Sequence, residues 1–458
     1  MKKTLFAMTA LSAFALVAQE ATPVAPAAPE SAPAASEAPA PVKAEAAAEI
    51  NKAVTTHVKP SAKSIVREDM AAYCKEAGIT IGEVTPTDAI YIDGLERVLA
   101  RSDNPNFVRA RTLAYEMAYH RAVAGYVMQK FGVESVKQFS EVFNDQSTDR
   151  LTPSADAKTT TQRIIEKTEQ LTEAKLDEGL REMGVTPSGT VAEKRRLAAN
   201  TLVSRSMRNA IGSSAGLLPV QTFEGWNEAN QYAIGVVIRG GAETETIAEC
   251  LRYKMRPGLS RPGAGLSVEE ALPSDDELVS QFGVRLFFDK DGVPALLSFG
   301  QWGSSYTGTD EEEAEDAMDH AMVQAEAIAN EQLTTFINST ITVSESNERG
   351  GGKTTDAVFD ANGVPTEEKV MGFIDRAAKT STIQGKDTLI GRSTVLKKVI
   401  AHPSSGRKLA VCVRMWSFGQ YDAMKRIIEK PQSRPTTPAA PAAPQGTRGK
   451  RRGRSYDF

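Results

Sequence analysis

The sequence predicts an α+β protein made by tandem duplication of one unit, a small antiparallel sheet packed against an alanine-rich helix. Three observations predict it. Ala110, Ala114, Ala118 and Ala122 recur at every fourth position before Tyr126, and the pattern returns 207 positions later at Ala317, Ala321, Ala325, Ala329 and Leu333. Gly78 and Gly94 bracket an apolar stretch, as Gly283 and Gly300 do. Further on the offset becomes 175: Gly216, Val220 and Val236-Val237-Ile238-Arg239 match Gly391, Val395 and Val411-Cys412-Val413-Arg414. The shorter offset means that the first copy carries extra residues.

Taken in chain order, Lys2 and Lys3 precede an apolar run from Leu5 to Val17, which reads as a signal peptide over residues 1–18. Residues 19–59 form an Ala/Pro-rich linker, with Pro23, Pro26, Pro29, Pro33, Pro39 and Pro41. Such a composition buries too little apolar surface to offset the entropy of ordering, so this segment is expected to be a disordered, extended spacer. The first α+β domain spans 60–255. It opens with a helix over Ile65–Ala77, followed by strands at Ile79-Thr80-Ile81 and Ala89-Ile90-Tyr91-Ile92 and then the alanine helix. Small side chains every fourth residue let that helix lie close against a sheet. A helical insertion falls within 156–211, where Glu166, Glu169, Glu173 and Glu178 alternate with Lys167, Lys175 and Arg181, as on a solvated arm or hairpin.

A Pro/Gly-rich linker, 256–273, leads to the second domain at 274–430. Here a short helix over Ser274–Phe282 precedes a hairpin, Val284–Phe288 and Ala295–Phe299 around the turn Asp289-Lys290-Asp291-Gly292. Each copy closes with two strands, the last being Tyr232–Arg239 or Leu409–Trp416, and a final helix near Glu243–Tyr253 or Gln420–Glu429. Residues 431–458 are a second Pro-rich disordered tail, ending in a basic cluster.

Composition narrows the function classes. Hydrophobic residues make up 41% of 458, an ordinary globular share, and no segment of the mature chain approaches a membrane span. The net charge of −4 hides an asymmetry, because the tail's six basic groups face only Asp457 and the body is acidic. Cys74, Cys250 and Cys412 are odd in number. A small buried thiol is expected for Cys412, and no structural disulfide is predicted, although Cys250 pairing with Cys74 or Cys412 stays open.

Candidate chemical motifs mostly reduce to turns. Gly350-Gly351-Gly352-Lys353-Thr354 resembles a phosphate loop, but Asn347 stands where the first glycine belongs, so no nucleotide or other cofactor is expected. Asp289–Gly292 and Asp360–Gly363 lack the ligand pattern of a calcium loop, the acidic run Asp310–Glu313 suits a helix start, and no metal site is predicted. Glu116 with His120 and Asp316 with His320, each four apart on a helix, are the best acid–histidine pairs, and they read as surface contacts. Trp302 and Trp416 suit edge or core packing. No catalytic residue is identified.

The hairpin ending at Gly300, the helix Ala317–Ala329 and the strand Ala410–Trp416 together resemble a family of secreted Gram-negative proteins of unknown function. More distantly they resemble the small α+β domains of envelope lipoproteins and flagellar accessory proteins. The likeness covers most of residues 60–430, although the chain lacks a lipidation cysteine after its apolar run. The resemblance implies an envelope role without catalysis, and it brings no functional residues.

The expected function is therefore that of an exported, periplasmic or cell-surface binding and assembly scaffold. The candidate binding residues are Arg448, Lys450, Arg451, Arg452 and Arg454, directed at an anionic envelope polymer or an envelope protein, with a merely solvated tail as the other reading. Nucleic acid is not expected as a partner of an exported chain. The alternative is a secreted hydrolase or carbohydrate-active enzyme with loop carboxylates.

Overall fold

The computed structural model describes residues 59–143, 154, 156–256, 258, 261, 263, 265–338, 358–359, 364–374 and 390–429. The signal peptide, most of the first linker, the glycine run at 350–352, the Asp360–Gly363 turn and the basic tail lie outside them. The first half contains α1 (Ala62–Glu76), β1 (Ala89–Val98), α2 (Phe107–Phe143), α3 (Ala157–Glu169), α4 (Glu173–Glu182), α5 (Val191–Gly212), β2 (Leu218–Trp226), β3 (Tyr232–Gly241) and α6 (Ala242–Arg252). The second contains the single turns α7 (Val268–Ala271) and α8 (Asp275–Leu278), β4 (Gly283–Phe288), β5 (Pro294–Gly303), α9 (Glu311–Asn338), β6 (Arg392–Ala401), β7 (Lys408–Ser417) and α10 (Phe418–Glu429). The strands form two antiparallel sheets, β1-β3-β2 and β4-β5-β7-β6. The α+β class is as the sequence predicts.

The two halves repeat one packing geometry. Gly94 on β1 sits under α2 so closely that a Cβ there would overlap the Ala118 carbonyl and lie 3.0 Å from the Ala122 amide. Gly300 on β5 meets Ala325 and Ala329 of α9 in the same way, with the amide at 2.7 Å. The alanine stripe is thus the complement of a strand glycine, and together they let helix backbone touch sheet backbone. The bulges recur as well, between Pro219 and Gln221 in β2 and between Thr394 and Leu396 in β6. Gly216 and Gly391, with φ of +76° and +98°, each turn the chain against the start of the closing helix, α6 or α10.

One part of the sequence alignment needs correcting. Gly94 pairs with Val236, but Gly300 pairs with Cys412 rather than Val411. The last strands therefore correspond one residue away from the Val-Val-Ile-Arg and Val-Cys-Val-Arg match. The cause is the hairpin loop: the strand ends Trp226 and Tyr232 pair in the first half, Ala401 and Lys408 in the second, so the second loop is one residue longer. Since side chains alternate between faces, a slip of one residue exchanges the faces. Arg414 accordingly lies on the α9 side, bonded to Glu326 at 2.5 Å, and has no counterpart in Arg239, which bonds Glu243 at 2.9 Å.

Strand alternation sorts the core into layers. Ile90, Ile92, Ile234, Val236 and Ile238 face α2, while Ala233 and Val237 face Val66 and Met70 of α1. In the second sheet Ala410 and Cys412 face Ala321 and Ala325 of α9. The opposite face, with Leu297, Phe299, Val411 and Val413, joins the same core as Phe107, Val108, Ala114 and Tyr115 of α2. The N-terminal part of α2 therefore serves both sheets. The described residues from Pro60 onward belong to one compact unit.

The insertion is more than a solvated arm. Helices α3, α4 and α5 pack Ile164, Leu176, Leu180, Leu202 and Met207 against Val127, Phe131, Phe139 and Phe143, on the long C-terminal part of α2. Thr190 starts α5 with a capping box, its Oγ1 accepting from the Glu193 amide at 3.3 Å while Glu193 Oε2 accepts from the Thr190 amide at 2.7 Å. Two expected elements shrink. Of Ile79–Ile81 only Ile81 pairs, in one isolated bridge to Tyr91, because Gly78 and Gly82 on either side hold positive φ and break the strand. The Ser274–Phe282 helix is a single turn, α8, and the chain then straightens to place Phe282 against Tyr115. Among the described residues no helix is long and apolar enough to cross a membrane.

Candidate functional site

The polar centre of the molecule lies where α2 crosses the second sheet. Arg111 is wholly buried, in the stretch of α2 that touches both halves. Its Nε donates to Glu224 Oε2 on β2 at 2.8 Å, its Nη2 donates to Glu224 Oε1 and to the Val279 carbonyl, and its Nη1 donates to Gln301 Oε1 on β5 at 2.7 Å. The ring of Phe282 lies under the guanidinium at 4.6 Å. Gln301 in turn donates Nε2 to the carbonyls of Leu278, Val279 and Gln281, at 2.8, 3.0 and 2.6 Å. One cation thus ties α2 and β2 of the first half to β5 and the α8 turn of the second.

Burial would raise the Glu224 pKa, but the charge of Arg111, aided by His402, outweighs it and holds the carboxyl at about 2. His402 is 2% exposed in the β6–β7 loop, with Nε2 3.6 Å from Glu224 Oε2 and its ring edge-on to Phe107 at 5.2 Å. Its Nδ1 is buried without a hydrogen-bond partner. Every Arg111 nitrogen is bonded inside the protein, so this cluster acts as a clasp between halves.

Beside the clasp lies a cavity of about 120 Å³. Tyr115, Glu116, Tyr119 and His120 line it from α2, and Ile328, Glu331, Gln332 and Phe336 from α9. Leu217, Pro219, Gly283 and Val284, at the adjoining ends of β2 and β4, close its floor. Tyr119 donates its hydroxyl to the Leu217 carbonyl at 3.2 Å. Tyr115, 2% exposed and stacked on Phe282 at 4.5 Å, has a buried hydroxyl with no partner, and burial pushes its pKa well up. A Cβ on Gly283 would overlap that hydroxyl, so glycine is what gives it room.

The structure places the sequence candidates as follows. Glu116 and His120 line the cavity, whereas Asp316 and His320 are exposed on α9. Asp289 Oδ1 accepts from the amides of Asp291 and Val293 at 3.0 and 2.9 Å, which makes that segment a tight turn. Asp310 Oδ1 accepts from the Glu313 amide at 3.0 Å and starts α9. Trp416 is buried and donates Nε1 to the Ile390 carbonyl at 3.1 Å, while Trp302 packs half-buried beside Met318 and Met322. Cys74 and Cys412 are buried thiols and Cys250 is half-buried. The residues Arg448, Lys450, Arg451, Arg452 and Arg454 lie outside the described residues. Among the described residues no group of three or more His, Cys, Asp or Glu is arranged to hold a metal ion.

Sequence reading missed Arg111, Glu224 and Gln301. A buried Arg one residue after an alanine of the stripe, and a Glu inside a strand, were the available signals, but nothing linear connects positions 111, 224 and 301.

Comparison with known proteins adds fold rather than chemistry. A family described as a domain of unknown function, DUF6844, matches residues 161–253, from within α3 to the end of α6. No curated protein matches the chain. The crystal structure of a hypothetical protein, FTT1539c, from Francisella tularensis is similar, with a TM-score of 0.50 and 21% identity, covering 79% of this chain and 92% of that one. At that identity the likeness speaks for the fold alone.

Proposed function

We propose that this chain is an exported, non-enzymatic envelope protein that serves as a binding and assembly scaffold, its two halves derived from one duplicated unit. The observation that carries the reading is the clasp. The buried Arg111 is bonded internally to Glu224 and Gln301 and ties the two halves together. A rigid body of this kind presents surfaces without the ordering cost that a flexible pair would meet on binding. Signal-like residues 1–18 and the Pro-rich spacer support export and reach. The cluster Arg448, Lys450, Arg451, Arg452 and Arg454 supports attachment to an anionic envelope polymer by charge.

The test is envelope fractionation of the full chain and of a form lacking 431–458, with retention of both on dextran sulfate as a model polyanion. The reading expects the full chain in the envelope fraction and salt-sensitive retention that the truncation removes. Identical behaviour of the two forms would remove tail attachment from it. A second reading, a hydrolase acting on a glycan, is favoured by one observation: Glu116 and Glu331 line the same cavity from different helices. Turnover of envelope glycans that Glu116→Gln and Glu331→Gln both abolish would establish it in place of the first.

A further inference from the structure

The scaffold reading makes no use of a group of charges at the edge of the second sheet. Among the described strands β6 pairs with β7 alone. Its bulge between Thr394 and Leu396 sets Arg392, Thr394 and Lys397 on one face, opposite Trp416, Arg414 and Cys412 of β7. That is the α9 face, since Cys412 packs with Ala321 and Ala325. Three cations converge there on one carboxylate. Arg414 Nη1 donates to Glu326 Oε1 at 2.5 Å and to Thr394 Oγ1 at 2.6 Å, and Lys397 Nζ lies 2.8 Å from Glu326 Oε2. Arg392, diagonal to Arg414 across the two strands, donates Nη1 to the neutral Asn330 at 3.4 Å. The bond to Lys397 and the charges of Lys397, Arg414 and Arg392 together hold the Glu326 carboxyl below the usual carboxylate range. These four side chains carry two positive charges in excess. Burial, and then the neighbouring Arg414 charge, push the Arg392 pKa down. The shared geometry of the halves does not require this crowding. Matching Gly94, Ala118 and Val236 with Gly300, Ala325 and Cys412 puts Tyr119 where Glu326 stands and Ile238 where Arg414 stands. Pro219 and Thr222 then take the places of Thr394 and Lys397, so the first half has no cation at these positions.

We infer that this face of β6 binds a small soluble oxyanion of the phosphate class, held by the Arg392 guanidinium, the Lys397 ammonium and the Thr394 hydroxyl. Thr394 is exposed and the Lys397 side chain is 47% exposed, so the anion enters from solvent. Thr394 Oγ1 accepts from Arg414, which leaves its proton to donate, and an ammonium with three donors can serve Glu326 and an anion together. A dianion cancels the excess of two charges and accepts charge-assisted bonds from both cations. The inference goes beyond the scaffold reading, whose anion-binding residues are in the tail. No covalent bond is made or broken, so binding alone is at issue.

The test is calorimetric titration of the full chain with inorganic phosphate, against a chloride background at constant ionic strength. Saturable binding is expected, and Arg392→Gln and Lys397→Gln should each weaken it about tenfold. Lys398→Gln removes the same charge from the same strand, but Lys398 belongs to the other face and pairs with Asp275, so affinity should not change. Glu326→Gln raises the local excess to three charges and is expected to tighten binding several-fold, a gain that no folding defect produces. Equal weakening by Arg392→Gln and Lys398→Gln would reduce the effect to overall charge and overturn the site. Absence of saturable binding, or unaltered affinity in Arg392→Gln, would overturn it as well. Flotation with phosphatidylglycerol vesicles separates a lipid headgroup from a soluble phosphate. The form lacking 431–458 is expected to stay off the vesicles while binding phosphate as the full chain does. Vesicle capture of that form, abolished by Arg392→Gln, would assign the site to a lipid and overturn a soluble ligand. Polyanion retention is read on the tail and phosphate affinity on β6, so failure of the scaffold reading and failure of this one are told apart.

Discussion

The two sheets of this protein are built alike and covered differently. In the first half α1 lies on one face of β1-β3-β2 and α2 on the other, so the sheet is enclosed by its own helices. In the second half α9 covers one face of β4-β5-β7-β6, but the position of α1 is reduced to the single turn α8. Its other face is covered by α2 of the first half. A strand glycine under an alanine stripe is enough to specify how helix meets sheet, twice over. What covers the remaining face is decided elsewhere, and there the halves differ: one is self-sufficient and the other borrows.

The largest effect that would break this comparison comes from separating the halves. Residues 274–430 expressed alone would expose Leu297, Phe299, Val411 and Val413, and the account expects no cooperative thermal transition and aggregation on a sizing column. A sharp melting transition of that fragment would show that the borrowed helix is dispensable.

The clasp comes next. Arg111→Met leaves Glu224 buried with only His402, 3.6 Å away, beside it, which should cost about 3–5 kcal/mol in denaturant titration, whereas Arg111→Met with Glu224→Leu should recover most of that. A double variant no more stable than the single one would mean that the arginine acts by shape and not by pairing.

The acid limb of stability sharpens the same point. The folded Glu224 pKa, about 2, is below the ordinary 4.5, so its contribution is fully present above 4.5 and is lost as pH falls towards 2. On that basis about 3 kcal/mol should disappear across the window. Glu224→Gln should flatten the curve of melting temperature against pH there, and an unchanged curve would assign the acid sensitivity to other carboxylates.

Smaller effects test whether the two glycine contacts are alike. Gly94→Ala and Gly300→Ala each push a methyl into a helix backbone, and each should cost about 1–3 kcal/mol or more, with similar values for both. A large loss at one and none at the other would end the claim of a shared geometry. The smallest, Thr190→Ala, removes the α5 cap and should cost about 1 kcal/mol, visible as faster amide exchange in the α3–α5 insertion. Equal acceleration in both sheets would show that the insertion is not a local unit.

Much of this architecture was legible in the sequence, and the reason is physical. Ala118 and Ala325, Gly94 and Gly300, Gly216 and Gly391 are positions where only a small residue or a positive φ fits, so both halves show the same letter. The strand register was misread by one residue because Val-Val-Ile-Arg and Val-Cys-Val-Arg are equally apolar in either register. Only the pairing shows that the β6–β7 loop is one residue longer. Ile79–Ile81 looked like a strand because periodicity does not show the turns at Gly78 and Gly82. Of the candidate site, Glu116 and His120 stood out by their spacing. Glu331, Tyr115 and the Arg111 clasp did not, since they are assembled from segments far apart in the chain, Tyr115 and Glu331 being more than two hundred residues apart.

The central claim, that the second half depends on the first for one face of its sheet, is tested most directly by native-state hydrogen exchange in increasing denaturant, read at Val236–Arg239 in β3 and Val411–Arg414 in β7. The expected result is that β7 opens at the same denaturant concentration as β3 or below it, because opening of α2 uncovers one face of the second sheet, whereas the first sheet keeps its own helices. Protection of β7 at a denaturant concentration where β3 has already opened would contradict it.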